Sequence, residues 1–474
     1  MGELRPMLWS RGTSGNRPSI ATCERLVNGY LQPNPAGAAQ PFRIPATPGL
    51  KLFGTYPSLI VRGARHVSQV DHSFVVIGNE LYQIASDASS VLIGGAGGVP
   101  GGGPVAMCNN ATQIWLATNL GLYVVDIAAA TITLVVTDPV NAYFPTVTYQ
   151  DGYGIGNVYG TEQWFISVGD DLSLVNAIDF TSADTFPDNV KGVISNQRTL
   201  VALGADSIEL YANTGAALFP FERIGGAFLE HGCVSPLSIA KRADRLFWQG
   251  DDGGIWQLVG NQPSKISPPE IDQWIKDRPL PDESRAFSYG KEGSQVYGLN
   301  WSNGTLCYDL ATGLWHERES QLKNRWRADV VWRAFGKDLA GDFENGNIYE
   351  IDSDTYGEEV AAGVYTPMTM LMQPPPLDGA GNAISMSSMV LDCEMGTIAD
   401  PTADPQWILK WSDDGGKTWS SEVWRTAGLS GEYLRQCRWN GLGQFRRRTF
   451  RLSNDDVMKR VVLGAYGAWD VVRG

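Results

Sequence analysis

Short runs of β-forming residues meet a Gly, Asn or Asp turn and continue into a second run. The unit first appears as SFVVIGNELYQI (73–84). It returns as TQIWLATNLGLYVVDI (112–127), EQWFISVGDDLSLVNAI (162–178), RTLVALGADSIELYA (198–212) and DRLFWQGDDGGIWQLV (244–259). The last two copies are SQVYGLNWSNGTLCYDL (294–310) and KDLAGDFENGNIYEID (337–352). Each is a strand, a turn of residues suited to positive φ, and a strand. A lone hairpin cannot bury its face. Repeated every ~35–50 residues, such units have the period of propeller blades. Radial packing of units with one or two added strands buries a continuous core. The pattern predicts an all-β chain whose residues 50–355 form a β-propeller of about six or seven blades. A pair of β-sandwich domains is the rival architecture, with less regular spacing expected.

Around this repeat, residues 1–49 are rich in Pro, Gly, Ala and Asn and read as an extended N-terminal arm. EIDQWIKDRPLPDESRAFSY (270–289) offers a short helix, apolar at Ile271, Trp274 and Ile275 and ended by Pro279 and Pro281. VLIGGAGGVPGGGP (91–104) reads as a flexible loop. It lacks the Lys-Ser/Thr and the strand–helix context of a phosphate cradle. MQPPPLDGAGNA (372–383) marks a boundary within a linker at 356–384. Residues 385–474 read as a C-terminal, sandwich-like all-β domain.

Composition agrees: 54 Gly and 16 Trp among 474 residues, with 19% charged, favour turns, strands and aromatic packing over helices. The net charge of −14 makes the surface as a whole repel nucleic acid and anionic lipid. Cys23, Cys108, Cys233, Cys307, Cys393 and Cys437 show no Cys-x-x-Cys spacing and read as free thiols. No apolar h-region opens the chain and no apolar run approaches 18 residues, so neither a signal peptide nor a membrane span is expected.

Candidate chemistry is sparse. WSDDGGKTWS (411–420) places Ser412, Asp414, Gly416, Thr418 and Trp419 in the pattern Ser-x-Asp-x-Gly-x-Thr-Trp. That pattern resembles the Asp-box of sialidases and other propeller glycosidases. The motif itself is structural: its oxygens tie a hairpin turn and its Trp packs beneath it. A glycosidase needs two carboxyl groups flanking the bond, and no local signature for them is present. His66, His72, His231 and His316 form no helical metal pair. The Asp runs in the turns lack the alternating ligands of a calcium loop. No catalytic residue, metal ligand or cofactor is expected.

One stretch departs from the acidic balance. RQCRWNGLGQFRRRTFR (435–451) carries Arg435, Arg438, Arg446, Arg447, Arg448 and Arg451 and no acid. On a strand, Arg446 and Arg448 point to one side, with Phe450 and Leu452, and Arg447 to the other. In an acidic chain these guanidinium groups suit carboxylates across a subunit or partner interface. DNA phosphates are the second reading, and a solvated strand offset by nearby acids is the bland one.

Residues 162–240 resemble the packaged-DNA stabilisation proteins of short-tailed bacteriophages, also called tail accessory, hub or nozzle proteins. The resemblance rests on a Trp-Phe strand (Trp164, Phe165), then Phe180, Ala183 and Pro187-Asp188. TLVALGADSIELY, TGAALFPFERI and a Gly before SPLSIA follow in order. ERLVNGYLQPNP (24–35) and LGQFRRRTFRL (442–452) extend it toward both ends. It implies a propeller with appended β domains that assembles as a homo-oligomer, a six-fold ring in the virion tail beneath the portal and adaptor rings. The implied partners are adaptor or head-to-tail connector proteins, tail spikes or fibres, and a tail needle or plug. DNA would pass the channel without specific binding, which an acidic lining favours. A carbohydrate-active propeller (a sialidase-like hydrolase, a depolymerase or a sugar-binding module) is the alternative, carried by the Asp-box pattern and the Trp content.

Overall fold

The computed structural model describes residues 3–9, 12–14, 24–35, 41–57, 59–137, 142–182, 188–217 and 219–472. Cys23, Ala183 and Pro187 lie outside them.

Among the described residues, seven blades of four antiparallel strands follow one another around the propeller. The first is Val61–Val67, His72–Ile77, Glu80–Ile84 and Ser90–Ile93. Each predicted hairpin falls in a blade of its own. Six of them are the second and third strands of their blades. In the third blade, Val147–Gln150, Tyr153–Asn157, Gln163–Val168 and Asp171–Ser182, the hairpin is the outer pair instead.

Packing explains why these hairpins stood out. A second strand is covered on both faces by neighbouring blades, so it reads as a continuous apolar run. In His72–Ile77, Phe74 and Val76 join Ile114 and Leu116 of the second blade. The alternate residues Val75 and Ile77 join Trp332 and Leu339 of the seventh. Outer strands such as Thr131–Leu134 and Gln262–Lys265 are mostly exposed and carry little apolar signal.

The helix Pro269–Lys276 follows the fifth blade. Ile271, Trp274 and Ile275 are buried between that blade and the sixth. The remainder of 270–289 turns at Pro279 and Pro281 and enters the strand Arg285–Lys291.

The ring closes with a strand from the N-terminal segment. Gly49–Thr55 pairs antiparallel with Asn347–Asp352 as the outer strand of the seventh blade. Gly49 sits where a Cβ would lie 2.2 Å from the Thr355 carbonyl oxygen, so no larger residue fits that approach.

The C-terminal unit is a β-sandwich. In one sheet, Ala383–Cys393 lies between Cys437–Phe445 and Val461–Val472, antiparallel to both. The facing sheet holds Met370–Gln373, Arg447–Asn454, Gln406–Ser412 and Val423–Thr426. Trp407, Trp439, Met389 and Phe450 fill the space between.

The described strands of the N-terminal arm are built into both units. Arg5–Met7 and Phe42–Pro45 pair with Val461–Val472 of the sandwich. Arg25–Val27 pairs parallel with Leu314–Glu317 of the sixth blade and antiparallel with Met370–Gln373. That three-residue strand makes the blade and the sandwich sheet one continuous ten-stranded sheet. The segment 356–384 also holds paired strands: Gly357–Ala361 and Val364–Pro367 extend the seventh blade.

The Gly-rich stretch after Ser90–Ile93 is held in place. Arg62, 1% exposed, donates to the carbonyls of Gly78, Val99, Pro100 and Gly103. A flexible loop was expected there; a buried guanidinium fixes it by collecting its carbonyl oxygens.

Candidate functional site

The Asp-box-like residues share one turn between Gln406–Ser412 and Val423–Thr426. Ser412 Oγ donates to Asp414 Oδ1 at 2.7 Å and accepts the Gly416 amide at 2.8 Å. Asp414 also accepts the amides of Lys417 and Thr418, and the Thr418 hydroxyl at 2.6 Å. Those Thr418 bonds, with Ser412 behind them, hold the Asp414 carboxyl well below its ordinary range. Trp419 Nε1 donates to the Gly416 carbonyl, and Arg451 lies 3.8 Å over the Trp419 ring. The Asp414 carboxylate is engaged by its own turn and held in the ionised form, so it has no proton to give a substrate.

The six arginines part company. Arg435 pairs with Glu432 at 2.6 Å on the surface. Arg438 reaches Asn440 and Ser388. Arg446 is exposed and lies between the strands Cys437–Phe445 and Arg447–Asn454. Its side chain has no partner among the described residues. Arg447 pairs with Asp378. Arg448 is buried, with its guanidinium donating to both oxygens of Asp413 at 2.6 and 2.7 Å. Arg451 donates to Gln373. The expected shared face of Arg446 and Arg448 does not form, because Arg446 sits in the connection and not in the strand. Arg448 does share its buried side with Phe450 and Leu452.

A concavity of about 860 Å³ is lined by Pro104, just ahead of the second blade, and by residues of the third to the seventh blade. Its wall carries Asp206, Asp251, Asp282, Glu283 and Asp329 against Lys191, Arg285 and Arg325. Arg285 and Arg325 both pair with Asp329 at 2.5 Å. Burial opposes the charge on Asp329, but the two guanidinium groups outweigh it and hold the carboxyl below its ordinary range. Neither arginine is left to clamp a sugar carboxylate, and a depressed carboxyl is the reverse of the raised acid that glycosidases use.

No cluster of His, Cys, Asp and Glu suited to a metal occurs among the described residues. His316 is buried, and its imidazole is pushed down to about 3 by burial and by Arg318, so it stays neutral. Cys108, Cys233, Cys307 and Cys437 are buried free thiols, and Cys393 is half-buried. No helix among the described residues is long and apolar enough to cross a membrane.

Two residues within ERLVNGYLQPNP (24–35), for which no individual role was expected, join the two units. Arg25 makes a two-pronged contact with Glu317 at 3.0 and 2.7 Å. Asn28, buried and in the left-handed region at φ 51°, donates to the carbonyls of Glu319 and Thr369. Their partners lie some 300 positions away, so no local pattern marks them.

The β-propeller model of bacteriophage P22 Gp10 matches residues 24–356, and the β-sandwich model of the same protein matches 369–466. The chain belongs to the bacteriophage P22 Gp10 family. Gp10 proteins stabilise packaged DNA, which makes this chain a phage structural protein and a virion component. The two matched units are the propeller and the sandwich seen in the fold. No curated protein matches the chain. Among solved structures, it is similar to selenomethionine-substituted virginiamycin B lyase from Staphylococcus aureus, with 10% identity and TM-score 0.45, covering 64% of this chain and 97% of that one. It is also similar to the Cps50 (Swd1) β-propeller domain of Myceliophteria thermophila, with 9% identity and TM-score 0.43, covering 64% and 98%. At such scores neither bears on function.

Proposed function

We propose that this Gp10-family chain is the tail hub, or nozzle, of a short-tailed phage, and that it acts without catalysis. The observation that carries the reading is the ordered match of propeller and sandwich to a packaged-DNA stabilisation protein. In this reading the chain forms a six-fold ring below the portal and adaptor rings, extends the DNA channel and helps retain the genome. Tail spikes or fibres and a needle or plug attach to it. The physical chemistry supports such a role. The net charge of −14 lets a duplex pass without being gripped. The continuous ten-stranded sheet joins the two units through backbone hydrogen bonds, which suits a part that bears load. Arg446, exposed and without a partner among the described residues, is the member of the arginine cluster best placed to meet a neighbouring subunit.

Imaging of intact particles tests the proposal. Six copies on the portal–tail axis are expected. A position elsewhere, or only free monomer in infected cells, would refute it.

A further inference from the structure

We propose that the joint between arm, propeller and sandwich is a binding site for a small oxyanion of the inorganic phosphate class. A polar cavity of about 260 Å³ lies where the three parts meet. The arm contributes Arg43 and Thr47, the propeller Ser353, and the sandwich Lys459 and Arg460. Since a water occupies about 30 Å³ in the liquid, the space admits an oxyanion together with several waters.

Arg460 is the deciding residue. It is 1% exposed, yet every acceptor it meets is a neutral carbonyl: those of Met368, Asn454 and Tyr356. Its Nε has no partner, and no carboxylate among the described residues pairs with it. A buried charge is ordinarily paired, because desolvation is costly. Two further buried groups on the same wall, Thr47 Oγ1 and Ser353 Oγ, also lack partners. Asp456 and Asp455 act on Arg460 through space without pairing with it, so water would satisfy the two hydroxyls but would not give the buried guanidinium the direct ionic contact that its Nε is free to make.

The acids nearby do not make that contact: the Asp456 carboxylate accepts the Gln406 amide and the Asn454 side chain, and Asp455 is exposed. Glu394 is engaged by Lys459 at 2.8 Å. Glu292 and Asp354 are exposed and can turn to solvent. The buried groups of the wall are therefore donors, while Glu292 and Asp354 are its exposed acids. That arrangement admits a compact anion and repels a polyanion such as a nucleic-acid backbone. An anion held there touches all three parts at once, so its binding stiffens the joint. This inference stands independently of the tail-hub proposal.

The test uses the full chain, titrated with inorganic phosphate by calorimetry and by thermal denaturation. Chloride at equal ionic strength serves as the control. A saturable heat and a saturable rise in melting temperature are expected with phosphate alone, as for any ligand that binds only the folded state. Thr47→Val and Ser353→Ala should each weaken the apparent affinity about tenfold, the effect of losing one hydrogen bond to a charged group. Arg460→Gln should abolish the response; if that variant fails to fold, the two hydroxyl variants still decide the matter. An equal rise in chloride, an absence of saturable heat, or unchanged affinity in both hydroxyl variants would overturn the proposal.

Discussion

Replacing the three consecutive arginines one at a time separates structure from assembly. Arg448 is 4% exposed, bonded to both oxygens of Asp413 and to the Leu442 carbonyl, and lies 4.1 Å over Phe445. In Arg448→Ser the Asp413 side chain, 49% exposed, passes to water and is not stranded. The penalty of about 3–5 kcal/mol for breaking a fully buried pair therefore does not apply in full. An orphaned buried carbonyl costs about 1–3 kcal/mol, and a lost desolvated cation–π contact about 1–2 kcal/mol. Together these give a local destabilisation of about 2–5 kcal/mol. Arg446→Ser removes no side-chain contact among the described residues, and Arg447→Ser removes only a solvent-screened pair with Asp378. Neither should change stability measurably. Hydrogen exchange at the amides of Thr449 to Leu452, with urea unfolding of the same samples, reads the difference. Equal exchange in Arg448→Ser and Arg446→Ser would refute the reasoning. Ring assembly reads the second half: Arg446→Ser should weaken subunit association while leaving exchange unchanged.

Three further outcomes follow from the same geometry. His316 has a folded value of about 3 against an ordinary 6.5, so it contributes stability fully above pH 6.5 and loses it as pH falls toward 3. By pH 5 the loss is about 2 kcal/mol; His316→Gln should remove that part of the pH dependence, and parallel curves for parent and variant would exclude it. Gly49→Ala drives a Cβ onto the Thr355 carbonyl and should cost about 1–3 kcal/mol, seen as faster exchange in Gly49–Thr55 than in Gln113–Thr118. Asp414→Ala should speed exchange at Lys417 and Thr418, whose amides it accepts; unchanged rates would show that the turn does not depend on it.

Legibility followed burial. RLFWQ (245–249) and the other second strands are covered on both faces, so their apolar runs were visible without knowledge of the fold. The third blade was legible through Gln163–Val168, its most apolar strand, which is why its hairpin was found one strand further out. First and outer strands carry mixed residues and gained their identity from the ladder they join. The Asp-box pattern was readable for a different reason: its donors and acceptors lie within eight consecutive residues, Ser412 to Trp419. The counter-ions within the arginine cluster were not legible, because charge density along the chain does not reveal them. Asp413 meets Arg448 across 35 positions, and Asp378 meets Arg447 across 69.

The amino-acid sequence by itself determined the all-β class, the repeated hairpins, the turn chemistry and, through an ordered set of strand motifs, the family. These depend on interactions a few residues long: alternation of side chains, turn dihedrals, and local hydrogen bonds. Only the tertiary structure decided that Gly49–Thr55 closes the ring, that Arg25–Val27 joins blade to sandwich, and that Arg460 is buried without an ion-pair partner among the described residues. Each of these is a pairing between segments far apart in the chain. Their strands are too short, or their charges too ordinary, to announce a partner, and they exist because the packed units bring two unsatisfied backbone edges or polar groups together.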